Sequence, residues 1–361
     1  MKVTVVAGAR PNFMKISPII DALEDRSINK KGITYRLIHT GQHYDNKMSE
    51  NFFTELGIPP PHINLECGGG TQAEQTANIM VKFERDLIEN PADMLLVVGD
   101  VTSTMACTIV AKKLGVRVAH VEAGIRSHDM TMPEEINRIV TDSICDYFFT
   151  TSNSANDHLV KSGVKSENIF FVGNTMIDTL LKHKSRFTEP DFWSEYDLSN
   201  KNYIVLTLHR PSNVDDIDKL DTLLNEVINS SNGLKIIFPV HPRTQKILRN
   251  LTKTYKGLML VEPQSYLKFN YLVANAKCVI TDSGGITEET TVLNIPCITL
   301  RNTTERPETV IVGTNLLVGS DFILLRDALN KLFANQWKRG EIPEKWDGQS
   351  ATRIVSILQQ L

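Results

Sequence analysis

The chain has no apolar stretch near the ~20 residues that a membrane-spanning helix needs. It also has no excess of one charge: 39 basic residues stand against 42 acidic ones, for a net charge of -3. A broad basic field for nucleic acid or an anionic membrane is therefore absent. The five cysteines, Cys67, Cys107, Cys145, Cys278 and Cys297, are odd in number, scattered and free of C-x-x-C spacing. That argues against disulfides and structural zinc, and Cys278 and Cys297 read as small core residues in strand-like runs. Three signatures are missing. Without G-x-G-x-x-G a nicotinamide role has no support; without H-E-x-x-H or compact ligand spacing neither has a catalytic metal; without G-x-S-x-G neither has a Ser-His-Asp hydrolase. No cofactor is expected. Residues 1–7 read as a strand rather than a signal peptide, so a cytoplasmic location is expected.

What the chain does have is a series of apolar runs, each ending in a short polar motif. At 361 residues, 41% hydrophobic and 22% charged, it has the length of two ordinary domains. Strands are expected at 3–7, 35–39, 94–98, 116–120 and 147–150, and a further one ends near Gly173-Asn174. The pattern then restarts with strands at 204–208, 235–240, 258–261, 278–281 and 297–300. Ile16, Ile19, Ile20 and Leu23 recur at helical spacing, as do Leu220, Leu223, Leu224 and Val227. Alternating strands and helices imply an α/β protein with two doubly wound, Rossmann-like domains. The expected division is 1–172 for the first domain, carrying the acid–base residues, and 173–347 for the second. Residues 348–361 form a last helix, with Ile354, Ile357, Leu358 and Leu361 on one face, that can pack back on the first domain.

The motifs sit where buried parallel strands end, which is where loops carry chemistry. They are Gly8-Ala9-Arg10-Pro11, Gly99-Asp100, His120-Val121-Glu122-Ala123-Gly124, Pro133-Glu134-Glu135-Ile136-Asn137-Arg138, Thr207-Leu208-His209-Arg210 and Asp282-Ser283-Gly284-Gly285. Two glycines at a helix start allow close approach of an anion to free N–H groups, so Ser283, Gly284 and Gly285 read as a diphosphate cradle. The alternative is a plain N-cap by Asp282 or Ser283. Glu288 and Glu289 fall in the expected first turn of that helix. Arg301 offers a fork for phosphate oxygens, or pairs with Glu305 at the surface. Arg10 and Lys15 are cations near the first strand end. Asp100, Glu122, Glu134 and His209 form a candidate acid–base set. Glu134 is also placed for a helix salt bridge to Arg138, and Glu135 reads as solvent-facing or structural.

Taken together, in this order and over nearly the whole length, these motifs resemble the non-hydrolysing UDP-N-acetylglucosamine 2-epimerases. Pro239-Val240-His241-Pro242 and Thr304-Glu305-Arg306-Pro307-Glu308 add to the resemblance. It implies a GT-B arrangement with the active site in the cleft between the domains, a UDP-sugar substrate, a homodimer and a place in making surface polysaccharide precursors. It implies catalytic roles for Asp100, Glu122, Glu134 and His209. Arg10, Ser283, Gly284, Gly285 and Arg306 would hold the diphosphate, with Lys15 nearby. Glu289 would bond the ribose, and Tyr266 and Phe269 would border the uracil. Arg138 and His241 would contribute to substrate binding. Gln42, His43, His241 and Arg210 lie where some bacterial relatives bind a second, activating UDP-N-acetylglucosamine. Many relatives carry His-Arg-x-Glu-Asn, whereas this chain has His209-Arg210-Pro211-Ser212-Asn213, and Ser212 lacks the carboxylate's charge.

The implied reaction inverts C2 by losing UDP from C1 to give 2-acetamidoglucal, then adding it back. Other readings are the hydrolysing epimerase, a diacetamido glucuronic acid nucleotide as substrate, a GT-B glycosyltransferase and a non-catalytic nucleotide-sugar sensor. The acidic set weighs against the last two.

Overall fold

The computed structural model describes residues 1–42, 53–240, 242–248 and 255–361. The chain forms two compact units, Met1–Lys182 with Glu344–Leu361, and His183–Pro343.

The first unit is built on a parallel sheet. Its strands are β1 (Lys2–Ala7), β2 (Thr34–His39), β3 (Ile63–Asn64), β4 (Met94–Val98), β5 (Arg117–Val121), β6 (Tyr147–Thr150) and β7 (Ile169–Phe171), in the order β3-β2-β1-β4-β5-β6-β7. The helices between them are α1 (Arg10–Glu24), α2 (Gln72–Glu89), α3 (Thr102–Lys113), α4 (Pro133–Ile144), α5 (Asn153–Lys161) and α6 (Thr175–His183). Every residue of β4 is buried, as a strand covered by helices on both faces requires. Ile16, Ile19, Ile20 and Leu23 of α1 all face the core.

The second unit repeats the architecture. Its strands are β8 (Tyr203–Thr207), β9 (Lys235–Pro239), β10 (Leu258–Val261), β11 (Cys278–Thr281), β12 (Cys297–Thr299) and β13 (Asn315–Leu317), in the order β10-β9-β8-β11-β12-β13. Its helices are α7 (Pro211–Val214), α8 (Ile217–Asn229), α9 (Pro242–Leu248), α10 (Tyr266–Asn275), α11 (Gly284–Leu293), α12 (Pro307–Ile311) and α13 (Phe322–Phe333). The strand order reverses between β1 and β4 in one sheet and between β8 and β11 in the other. A crevice opens at the carboxyl ends of the strands at each such point. Among the described residues no helix is long and apolar enough to cross a membrane.

Two edge strands, β3 and β13, were not expected from the sequence; at two and three residues they are too short to form an apolar run. The units divide at 182/183 and 343/344, against the expected 172/173 and 347/348. Helix α6 stays with the first unit because Thr179 Oγ1 donates to Met14 O at 2.6 Å and Lys182 pairs with Asp21 at 2.5 Å. The returning segment is tied down before its helix begins. Trp346 Nε1 donates to Thr151 O at 3.1 Å and Lys345 Nζ to Phe171 O at 2.9 Å. The last helix, α14 (Ser350–Leu358), then packs on α1, with Ala351 N donating to Asp178 Oδ2 at 2.7 Å. Its buried face carries Ala351, Ile354, Val355 and Leu358; Ile357 and Leu361 are only half-buried.

Gly173 marks the tightest point of this return. Its φ is +101°, and a Cβ there would lie 2.0 Å from the Lys345 carbonyl oxygen and 2.7 Å from Ser350 Oγ. Gly173→Ala is expected to cost more than about 2 kcal/mol, from backbone strain and overlap together. Gly163→Ala has a similar φ of +88° but nothing within 4 Å, so it should cost about 1 kcal/mol. Equal midpoints for the two variants in thermal unfolding would contradict this account.

Candidate active site

At the end of β1 the chain turns into α1 under the control of Asn12. Its Oδ1 accepts from Gly8 N at 3.2 Å and Ala9 N at 3.0 Å, while its Nδ2 donates to Val98 O at 3.0 Å. One side chain thus joins the ends of β1 and β4. Gly8 is obligatory, because a Cβ would overlap Ser103 Oγ at 2.2 Å. Arg10, the first residue of α1, is half-buried and faces the charge of Glu55.

Two carboxylates stand at the next strand ends. Gly99 has a φ of +67°, and the space where its Cβ would be is 3.2 Å from Lys15 Nζ. Lys15 in turn pairs with Glu122 at 2.6 Å. Glu122 is buried and has a φ of +71°, uncommon for a residue with a side chain. Asp100 accepts from Arg138 Nε at 3.0 Å and Nη2 at 2.7 Å, and Asn137 Nδ2 donates to its backbone carbonyl at 2.8 Å. Helix α4 therefore clamps the Asp100 turn.

The third turn of the clamp is a network that sequence reasoning missed. His120, fully buried, places Nε2 2.9 Å from Gly99 O and Nδ1 2.7 Å from Asp142 Oδ1. Asp142 Oδ2 also accepts from Gly124 N at 3.1 Å and Arg126 Nη1 at 2.6 Å. Burial resists ionisation of Asp142, but His120 and Arg126 outweigh it and hold the carboxyl below its ordinary range. The spacing of His120 and Asp142 carried no local signal, because their partnership needs β5 and α4 to be side by side.

The remaining sequence expectations for this unit divide. Glu134 is half-buried in the first turn of α4. The ion pair of Arg138 within the helix runs to Glu135 Oε2 at 2.6 Å, three residues away. Glu135 is not solvent-facing: it is buried and accepts from Ser127 N at 2.9 Å and His128 N at 3.0 Å. Gln42 Oε1 accepts from Ser103 N at 3.1 Å and Ser103 Oγ at 2.8 Å, near the start of α3. His43 and His241 lie outside the described residues.

In the second unit, β8 delivers His209 and β11 delivers Asp282 side by side. His209 Nδ1 is 2.6 Å from Asp282 Oδ1; the ring is 57% exposed, whereas Asp282 is fully buried. Arg210 Nε donates to Asp282 O at 3.2 Å. Helix α11 then starts at Gly284 with Ser283 at the N-cap, and no side chain caps it. The N-cap alternative is thus not what Asp282 and Ser283 do. Glu288 and Glu289 lie beyond the first turn, against expectation, and are buried. Gly284 and Gly285 leave the helix start open, with Arg301 Nη1 3.6 Å from the Cβ position of Gly284.

The two arginines that follow are engaged with acids. Arg301 makes a bidentate pair with Glu305 at 2.6 Å through each nitrogen, and the pair is buried rather than at the surface. Arg306 is buried against Glu288 through Nε. Glu289 gathers Tyr266 and Asn270 around it, the latter donating to Oε1 at 3.5 Å. Phe269, half-buried on α10, packs against the core of this unit.

A profile of the family described as UDP-N-acetylglucosamine 2-epimerase matches residues 26–359. The chain belongs to the UDP-N-acetylglucosamine 2-epimerase family. A UDP-N-acetylglucosamine 2-epimerase of Methanocaldococcus jannaschii is 40% identical over 99% of both chains. A UDP-2,3-diacetamido-2,3-dideoxy-D-glucuronate 2-epimerase of Pseudomonas aeruginosa is 36% identical over 100% of both. A crystal structure of the Methanocaldococcus jannaschii UDP-GlcNAc 2-epimerase, in complex with UDP-GlcNAc and UDP, superposes with a TM-score of 0.87 at 40% identity over 100% of each chain. Within this family the two parallel sheets are Rossmann-like units of the GT-B type.

The buried acid of this family member's second unit gives a pH prediction. The Glu289 carboxyl is pushed up to about 7: burial raises it most, hydrogen bonds from Tyr266 and Asn270 pull it down, and the charge of Glu288 raises it again. The folded chain therefore holds this proton more tightly than the unfolded chain, where the group titrates near 4.5. Its contribution to stability is full below about 4.5 and is lost as pH rises through about 7. Glu289→Gln keeps the shape without the titration. Chemical unfolding from about pH 4.5 to 7.5 should show the wild type losing up to about 3 kcal/mol more than the variant. Parallel pH profiles would refute the assignment.

Proposed function

We propose that this chain interconverts UDP-N-acetylglucosamine and UDP-N-acetylmannosamine by elimination and re-addition of UDP, without net hydrolysis. The observation that carries the reading is the placement of polar groups in each sheet. Both sheets have them at the carboxyl ends of the strands where the order reverses: Arg10 and Asp100 in the first, His209 and the open start of α11 in the second. The full-length similarity to a protein solved with UDP-GlcNAc and UDP supports the choice of ligand.

The chemical difficulty is that C2–H lies beside no carbonyl. As the C1–O bond breaks, its electron pair leaves with UDP and positive character grows at C1, which acidifies the C2 proton. A base takes that proton, and the C–H pair becomes the C1=C2 bond of 2-acetamidoglucal. A proton then reaches the other face of C2, and a diphosphate oxygen of UDP bonds to C1. Two faces of C2 call for two proton-handling groups, drawn from Asp100, Glu122, Glu134 and His209. Lys15 steadies Glu122 and Arg138 steadies Asp100. Ser283, Gly284, Gly285 and Arg10 stabilise the charge that grows on the leaving diphosphate, with Arg306 set against Glu288. Glu289 takes the ribose, with Tyr266 beside it.

A second substrate reading has its own support, the full-length relative of Pseudomonas aeruginosa that acts on a diacetamido glucuronate nucleotide. Incubating each UDP-sugar separately with the protein decides between them.

The mechanism predicts that each turnover in D2O places deuterium at C2 of the UDP-N-acetylmannosamine formed, because carboxylates and imidazoles exchange their protons with solvent. Proton NMR reads this directly. An epimerised product that keeps its original C2 hydrogen would refute elimination, and free N-acetylmannosamine with stoichiometric UDP would show the hydrolysing reaction instead. Glu122→Gln should lower turnover at least about 100-fold while leaving UDP affinity within about threefold. Calorimetry with UDP checks the second half; a matching loss of affinity would contradict the division between sugar and nucleotide groups.

A further inference from the structure

The corner where β8 and β11 end contains a buried carboxylate that no part of the reaction above uses. Asp282 is fully buried, and both of its oxygens are engaged by donors from residues 209–213. Oδ1 faces His209 Nδ1 at 2.6 Å. Oδ2 accepts from Arg210 N at 3.0 Å and from Asn213 Nδ2 at 3.0 Å, and both oxygens lie 3.2 Å from His209 N. The strands beneath are locked together, with Thr281 paired in register to Thr207 and their hydroxyls 2.6 Å apart.

We infer that Asp282 is a positioning residue for proton transfer at His209, holding the imidazole with its hydrogen on Nδ1 and leaving Nε2 for the substrate. The inference rests on the reading that His209 handles a proton. An ionised carboxylate only accepts hydrogen bonds, so the ring nitrogen facing it carries the hydrogen. Burial opposes ionisation of Asp282, but the hydrogen bond and charge of His209, with Asn213 and the Arg210 amide, outweigh it and hold the carboxyl below its ordinary range. The ring itself is more than half exposed, and among the described residues it has no second hydrogen-bond partner. Asp282 also precedes Ser283 and Gly284, so the residue that orients the imidazole leads directly into the open start of α11. Ring and helix start are thereby set at one fixed separation. In a two-step reaction whose leaving group is a diphosphate, that fixes a proton-handling nitrogen relative to the departing charge.

A plain structural tie predicts something different, and Asp282→Asn separates the two. In the variant, Arg210 N and Asn213 Nδ2 still demand an oxygen at the Oδ2 position. The amide nitrogen must then take the Oδ1 position, where it donates to His209 Nδ1 and drives the ring hydrogen to Nε2. The corner keeps its shape and most of its hydrogen bonds, but the ring holds the wrong tautomer. Where an aspartate orients a histidine in this way in serine proteases, the same substitution lowers kcat by about 10,000-fold.

The experiment is performed on the full-length protein with 15N-labelled histidine and UDP-N-acetylglucosamine as the probe. In the wild type, NMR should show the neutral His209 ring protonated on Nδ1, and in Asp282→Asn on Nε2. The variant should lose at least about 100-fold in kcat while KM and UDP affinity stay within about threefold. Adding Asp282→Asn to His209→Asn should cost nothing further, since the two act through one group. A variant with kcat within threefold of wild type, an additive double loss or an unchanged tautomer would overturn the proposal. The wild-type spectrum stands even if the variant fails to fold, and a wild-type hydrogen on Nε2 would overturn it alone. His209→Asn with full turnover would sink the reading beneath it; His209→Asn inactive beside an active Asp282→Asn would sink only this inference.

Discussion

Covering a parallel sheet on both faces is the constraint from which the rest of this molecule follows. Residues of β4 and β11 are buried on every side, so their strands tolerate only apolar or small hydroxyl side chains. Charged groups are displaced to the carboxyl ends, where the chain leaves the sheet. There they still lie close to the core, and water covers them only in part. Carboxylates at these corners have partners supplied by the protein: Lys15 for Glu122, Arg138 for Asp100, His120 and Arg126 for Asp142, and His209 for Asp282.

Buried ion pairs of this kind rarely add much net stability, since removing two charges from water offsets most of their attraction. Their effect is on geometry. Arg138 reaches both Asp100 and Glu135, so it links the turn after β4 to α4 and to the 127–128 turn that Glu135 holds. In the second unit, Arg306 with Glu288 and Arg301 with Glu305 do the same around α11. Arg301 stands beside Gly284, at the positive end of a helix dipole. The paired carboxylate of Glu305 offsets the repulsion between that helix end and the guanidinium.

The sheets were legible in the sequence because central strands are apolar runs closed by short polar motifs. Helices α1 and α8 were legible from their helical spacing, and all four expected apolar positions in each are buried. Edge strands β3 and β13 were not, since a short edge strand needs no run at all. The candidate residues at strand ends were visible as types, but their partners were not. His209 and Asp282 are 73 residues apart, and His120 and Asp142 are 22 apart. Such pairs form only when the sheet order makes β8 a neighbour of β11, or packs α4 beside β5. Glu134 and Glu135 show the same limit on a smaller scale. Spacing to Arg138 favoured the first, yet the hydrogen bonds offered by Ser127 and His128 drew the second into the interior.

Two left-handed positions at the first sheet's ends tie these observations together. Gly99 at φ +67° and Glu122 at φ +71° each begin a turn that an ordinary strand exit would not adopt. A glycine accepts this conformation freely, but Glu122 does so at a cost of about 1–3 kcal/mol. What holds both turns is the buried His120 ring, whose Nε2 donates to the Gly99 carbonyl, together with Asp142, which accepts from Gly124 N two residues beyond Glu122. An apolar residue at 120 would fill the space but remove the ring's donors to the Gly99 carbonyl and to Asp142 Oδ1. The imidazole thus steadies the backbone turns from which Asp100 and Glu122 project, while Arg138 and Lys15 hold their carboxylates. The proposed reaction, in which a proton moves between the faces of one carbon, needs that fixity before substrate arrives, because reorienting charged groups during the chemical step would add to its barrier.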